Sequence, residues 1–213
     1  DMVRSLMIRD AGTHESSLMS MIPSFANLAT IVPNSSYTVD SLVQLTPANA
    51  KALGIGSQWL PQTPSQYNPQ ATIDSAITIS SALLNTFDFD RTDGIAAGLI
   101  DFVGTMMHEI GHVLGFISSV DSVDAGQTNI QMTPMDMFRV QPASTRPADF
   151  SAAPRVLDPR VPVQVLYDGG QFDPTGLPIA GLGKGDLPMS RGQTNGDGYQ
   201  ASHFKDDSQL GGF

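Results

Sequence analysis

Apolar residues recur at three- and four-residue steps from Ile100 through Val103, Met107 and Ile110 to Leu114. That period belongs to an amphipathic helix, and Gly115 just beyond it can take the left-handed conformation that ends one. A different rhythm precedes it. Between Thr72 and Ser80, Ile73, Ser75, Ile77 and Ile79 alternate with Asp74, Ala76, Thr78 and Ser80, the pattern of a half-buried strand. Tyr37 to Leu45 reads as a strand leading into a short helix, with Thr46 as N-cap, Pro47 in the first turn and Gly54 at the stop. Near the start, Leu18, Met21, Ile22 and Phe25 could share a helical face interrupted at Pro23.

After Ser118 the periodicity fades. Residues 119–213 are rich in Gly, Pro, Asp and Gln. Thr133 to Arg139 is the best helix start there, and Val161 to Tyr167 alternates as a strand turned by Asp168-Gly169-Gly170. Gly181 to Gly198 reads as a glycine-rich loop. It lacks the strand–loop–helix setting and Lys-Ser/Thr ending of a phosphate cradle, so no nucleotide role is expected. Residues 54–70 read as loop as well, with Trp59 as an anchor. The pattern predicts an α+β protein in two lobes, residues 1–118 and 119–213.

Composition narrows the function classes. The 213 residues carry a net charge of -10, with a pI near 4.5. Nucleic acid and anionic lipid surfaces both require a basic face, so neither is an expected partner. No apolar run is long enough to span a bilayer: the richest, Gly94 to Ile117, is broken by Asp101, His108, Glu109 and His112. The absence of cysteine removes disulfides and thiolate metal sites. Few Lys, many small polar residues and 15 Pro suit a secreted bacterial protein whose leader is absent from this chain.

The chemistry concentrates on the predicted helix, in His108-Glu109-Ile110-Gly111-His112. Residues four apart lie above one another on one helix face, so the two imidazoles can close on one metal ion. Glu109, one step round, can reach a water on that ion without ligating the ion itself. Neutral imidazole suits zinc, and an adjacent carboxylate suits general-base work on the water. Catalytic zinc takes three protein ligands. No Glu follows Glu109, and Ser118, three residues after Gly115, is a poor ligand. His203, the one His after the helix, is the preferred third ligand; His14, Asp121, Asp124 and Asp197 remain alternatives. Upstream, Asp88, Asp90 and Asp93 precede Gly94 in a pattern with some calcium-loop character. It departs from the EF-hand order, and an Asp-Gly turn with carboxylates near a helix start is the favoured reading over calcium.

His108-Glu-Ile-Gly-His112-Val-Leu-Gly115-Phe116 resembles the metzincin clan of zinc peptidases, and most of all its leishmanolysin-like members, where a long insertion precedes the third His. Thr133-Pro-Met-Asp-Met-Phe-Arg139 and Gly196-Asp-Gly-Tyr-Gln-Ala-Ser-His203 are similar to secreted bacterial metallopeptidases of that type. The resemblance implies a zincin fold: a twisted sheet and active-site helix above a cleft, and a lobe carrying the last ligand below. It also implies a zinc endopeptidase acting on protein or peptide substrates, expected as a monomer. His108, His112 and His203 would bind zinc, Glu109 would activate water and Gly115 would turn the chain beneath the metal; Tyr199 is a candidate oxyanion stabiliser only through its closeness to His203 in sequence. Two departures stand out. Leishmanolysin-like enzymes are rich in disulfides, and this chain has no cysteine. The clan's Met-containing turn follows the third His, whereas the ten residues after His203 contain no Met. Either that turn lies beyond this chain, or Met189 or another segment serves, or the third ligand is elsewhere. The alternative reading is an inactive or truncated zincin-fold binding or adhesion module with a structural metal.

Overall fold

The structure is a computed structural model that describes residues 1–11, 19–55, 72–142, 150–167 and 185–205. His14, Glu15, Trp59 and the turn at 168–170 lie outside the described residues. In chain order the helices are α1 (Met2–Asp10), α2 (Pro47–Ala52), α3 (Phe102–Val113) and α4 (Val120–Asp124). The strands are β1 (Thr30–Ile31), β2 (Thr38–Val43), β3 (Phe87–Asp88), β4 (Ile100–Asp101), β5 (Asn129–Met132), β6 (Arg139–Val140), β7 (Arg155–Val156), β8 (Gln164–Tyr167) and β9 (Gly185–Pro188). The class is mixed α and β, with small sheets and few helices. No helix among the described residues is long and apolar enough to cross a membrane.

The chain forms two compact units, Leu45–Phe116 and a larger one made of Asp1–Gln44 with Ile117–Phe213. The division differs from the expected lobes because residues 1–44 fold with the C-terminal part. The reason is strand pairing. β1 pairs parallel with β7, Thr30 opposite Arg155, and β2 pairs parallel with β5, Thr38 opposite Asn129. The main-chain hydrogen bonds of the early strands are therefore satisfied by chain about a hundred residues on.

In the larger unit, Ile130 and Met132 of β5 point inward and join Ile22, Val120, Val123, Met137, Val140, Phe150 and Leu157 in one apolar core. β6, β8 and β9 form an antiparallel sheet, Val165 opposite Leu187. β9 falls within the 181–198 stretch expected as loop; pairing with β8 draws Gly185–Pro188 into the sheet. Thr133 to Arg139 yields a single 3-10 turn, Met135–Phe138, rather than a longer helix. Arg155 is buried in this unit. Its guanidinium donates to the carbonyls of Met137, Phe150 and Ala153 and lies 4.3 Å from the centre of the Phe150 ring. Burial pulls its pKa down to about 10.

The smaller unit is built around α3. The parallel β3–β4 pair leads into it, and Phe102 in its first turn packs edge-on against Phe87 at 5.5 Å and beside Phe89 at 4.6 Å. α2 is capped as its sequence predicts: the Thr46 side chain accepts from the Asn49 N–H and Pro47 opens the helix. Residues 72–80 do not form the expected strand. Among the described residues no neighbour supplies a ladder to that segment, and Ile73 is left 74% exposed. Lys51 pairs with Asp74 at 2.5 Å. On α3 the stripe of Val103, Met107, Ile110 and Leu114 is exposed rather than covered, Met107 by 65%.

Candidate metal centre

Both ends of α3 are fixed by local chemistry. At the N-terminus, Asp101 caps the helix by accepting from the Val103 N–H at 3.0 Å. The Arg91 guanidinium sits 3.3 Å from its other oxygen. At the C-terminus, Gly115 takes φ +104°, its N–H donates to the His112 carbonyl, and the Phe116 N–H donates to the Gly111 carbonyl. This paired reversal satisfies two of the carbonyls a helix end leaves open. It also carries the Phe116 carbonyl back toward the helix, where it lies 2.7 Å from Nδ1 of His112.

That last contact sets the chemistry of His112. A carbonyl can only accept, so Nδ1 carries the proton, and Nε2 is left as the lone-pair nitrogen that ligates metals. His108 stands one turn earlier, with its ring edge-on to that of His112 and 4.5 Å from it. The two Nε2 atoms are 3.0 Å apart. Two ligands at zinc–nitrogen lengths of about 2.0–2.1 Å in a tetrahedron lie roughly 3.3 Å apart, so the pair is close to the spacing that one shared ion requires. Glu109, half-buried, occupies the next position round the helix.

His203 belongs to the larger unit. Its carbonyl accepts from the Ser190 N–H at 2.8 Å and its N–H donates to the Gln200 carbonyl at 3.1 Å. Tyr199, which bridges to Gly192, is 44% exposed. The carboxylates weighed as alternative ligands are engaged elsewhere. Asp121 accepts from the Ala201 N–H at 2.6 Å. Asp124 accepts from the N–H groups of Thr194 and Asn195, each at 2.7 Å. Asp197 accepts from the Arg191 N–H at 2.9 Å and pairs with Lys205 at 3.1 Å. Burial pushes the pKa of Asp197 upward, but the Arg191 N–H and Lys205 outweigh it and hold it below the usual carboxylate range.

The Asp88–Gly94 segment uses its carboxylates on its own backbone. Asp88 accepts from Asp90 N–H and Ala96 N–H, and Asp90 accepts from both the N–H and the hydroxyl of Thr92. Gly94, at φ +93°, closes the turn. Those bonds are the turn chemistry that its Asp and Gly residues favour.

Two elements of the site carried no sequence signal. Asn49 donates from Nδ2 to the Leu114 carbonyl at 2.7 Å and covers Gly115. Asp136, buried in the larger unit, accepts from the Ser118 hydroxyl at 2.6 Å, the Ser119 N–H at 2.9 Å and the Thr133 N–H at 2.8 Å. It thereby pins the chain just past α3. Asn49 meets a residue 65 positions on, and Asp136, though within the Thr133–Arg139 segment, reaches Ser118 and Ser119 18 and 17 positions back, so no local pattern announces either role.

Comparison with known proteins finds no match: no protein-family model, no curated sequence and no solved structure aligns significantly with the chain.

Proposed function

We propose that the chain is a secreted zinc-dependent endopeptidase of zincin plan. The observation that carries this reading is the His108–His112 pair, with Nε2 atoms 3.0 Å apart and the His112 tautomer set by the Phe116 carbonyl. His203 is the third ligand, as the one His after the helix and of the residue type that zinc prefers. Its rivals Asp121, Asp124 and Asp197 are already committed to backbone donors. Zinc in such a site would supply Lewis acidity toward a peptide carbonyl and a water acidified to a pKa of about 7. Glu109 takes the proton from the attacking water and returns it to the leaving amine. Tyr199, with its ring exposed, donates to the developing oxyanion. The substrate is a protein or peptide, and the enzyme acts as a monomer.

The bare stripe of Val103, Met107, Ile110 and Leu114 favours a second reading, a zincin-fold binding module with a structural metal, since large exposed apolar patches mark interaction surfaces. One experiment separates the two. Metal content by mass spectrometry and hydrolysis of a casein or peptide-library substrate are measured on the parent and on Glu109→Gln. The peptidase reading requires bound zinc in both proteins and hydrolysis in the parent alone. Zinc without hydrolysis in the parent supports the binding module, and a parent that binds no zinc sinks both.

A further inference from the structure

The segment from Met189 to Phe204 is a loop closed at its base. Met189 and Phe204 bridge antiparallel, and the Ser190 N–H donates to the His203 carbonyl at 2.8 Å. Two buried or partly buried side chains from outside the loop grip it at Ala201, two residues before His203. The Ala201 N–H donates to Asp121 Oδ1 at 2.6 Å, and the Ala201 carbonyl accepts from Arg139 Nη1 at 2.5 Å. Arg139 reaches the other limb as well, donating from Nη2 to the Ser190 carbonyl at 3.3 Å. Ser202 adds its backbone and hydroxyl as donors to Asp121. Both limbs that flank His203 are thus held by one guanidinium, and both backbone groups of a single residue are claimed by a pair of opposite charge.

The choice of residues needs an explanation beyond stability. Arg139 is fully buried; its hydrogen bonds among the described residues go to the main-chain carbonyls of Val156, Ser190 and Ala201, and Asp136, Asp121 and Asp197 act on its charge without ligating it, less strongly than burial opposes it. Burying a guanidinium is unfavourable as a rule, and an apolar residue of similar volume commonly stabilises as well or better. What an apolar residue cannot do is fix the separation of two carbonyls on opposite limbs. The rigid fork of an arginine does that. Asp121 completes the grip from the opposite side of the same peptide.

We propose that Arg139 and Asp121 are a positioning pair for His203, holding the Ala201 backbone so that the imidazole is presented in one orientation to the metal. The inference rests on His203 being a ligand. Groups that orient a metal-binding histidine typically contribute about 10–100-fold in metal affinity. The test is a cobalt(II) titration, read both as affinity and as the visible absorption of a four-coordinate ion, with thermal melts as the check on folding. The proteins are the parent, His203→Ala, Arg139→Lys, Asp121→Ala and Asp121→Asn, and the first substitution combined with each of the others.

Arg139→Lys and Asp121→Ala should each weaken cobalt binding about 10–100-fold and dim the absorption band. Asp121→Asn keeps one carbonyl for the Ala201 N–H but turns its NH2 toward the Ser202 donors, so it should fall between the parent and Asp121→Ala. In the His203→Ala background none of the three should weaken binding further, because the group being positioned is gone. Parental affinity in folded Arg139→Lys and Asp121→Ala overturns the proposal, and so does an equal loss in the His203→Ala background. If Arg139→Lys fails to fold, the contrast between Asp121→Ala and Asp121→Asn carries the test alone. Unchanged affinity and spectrum in His203→Ala would instead overturn the ligand assignment beneath it.

Discussion

The side-chain amide of Asn49 lies where a Cβ on residue 115 would have to go. Gly115 is therefore required twice: once for its backbone, at φ +104°, and once for the space that Asn49 fills while its Nδ2 donates to the Leu114 carbonyl. Gly115→Ala should destabilise the protein by about 2 kcal/mol or more, combining the left-handed backbone penalty with overpacking. The two contributions separate in Asn49→Ala/Gly115→Ala. Removing the amide relieves the clash but not the backbone strain, so the double variant should lose less than the sum of the two singles. Urea denaturation of all four proteins measures this, and strict additivity would show that the two residues do not compete for space.

The same corner shows what sequence reading reaches. The Thr46 cap, Pro47 at the start of α2 and the span of α3 were legible because each rests on signals within four residues of one another. The His108–His112 spacing was legible for the same reason. Asn49 was not, because its partner lies 65 residues away. Nor were the pairings of β1 with β7 and of β2 with β5, which decide that residues 1–44 fold with the C-terminal part. The alternation of 72–80 illustrates the limit from the other side. Period-two patterning describes a side-chain arrangement, but a strand also needs a neighbour's main chain, and no pattern within one segment supplies it.

Asp136 joins Thr133 to the segment leaving α3. Its Oδ2 accepts from the N–H groups of Ser119 and Thr133 and from the Thr133 hydroxyl, and its Oδ1 accepts from the Ser118 hydroxyl. An asparagine can keep its oxygen at the Oδ2 position and turn its NH2 toward Ser118, whose hydroxyl reverses to accept. Asp136→Asn should therefore cost only about 1–2 kcal/mol, whereas Asp136→Ala, which strands several buried donors, should cost about 3 kcal/mol or more. Equal losses in the two variants, measured by chemical denaturation, would show that the charge rather than the acceptor geometry matters.

Asp124 and Asp121 should respond to acid in opposite senses. Burial pushes the Asp124 carboxyl upward, but the N–H groups of Thr194 and Asn195 and the Asn195 amide outweigh it and hold it below its ordinary 3.8. A depressed carboxylate contributes stability that is full above the unfolded value and is lost as pH falls through the folded one. Burial raises Asp121 above 3.8 despite the Ala201 N–H and the charge of Arg139. Its contribution is present at low pH and is lost as pH rises through that raised value. Denaturation midpoints followed from pH 6 to pH 3 should therefore fall less steeply in Asp124→Asn than in the parent, and more steeply in Asp121→Asn. Slopes that shift in the same direction would contradict the opposed environments.

Val103, Met107, Ile110 and Leu114 line one side of α3 at steps of four, three and four, and all are exposed. At 100° per residue this stripe lies well away from His108 and His112, so charging it leaves the histidine face untouched. Met107 and Leu114, the most exposed of the four, contribute little to folding, and surface substitutions of this kind stay within about 0.5 kcal/mol. Met107→Lys and Leu114→Lys should accordingly melt like the parent and keep its metal content. Binding of an apolar dye and self-association by light scattering should both fall, because the contiguous patch is broken. A drop of several degrees in melting temperature would mean that the stripe is packed against protein in solution, and that the apolar period of α3 marks a buried helix face after all.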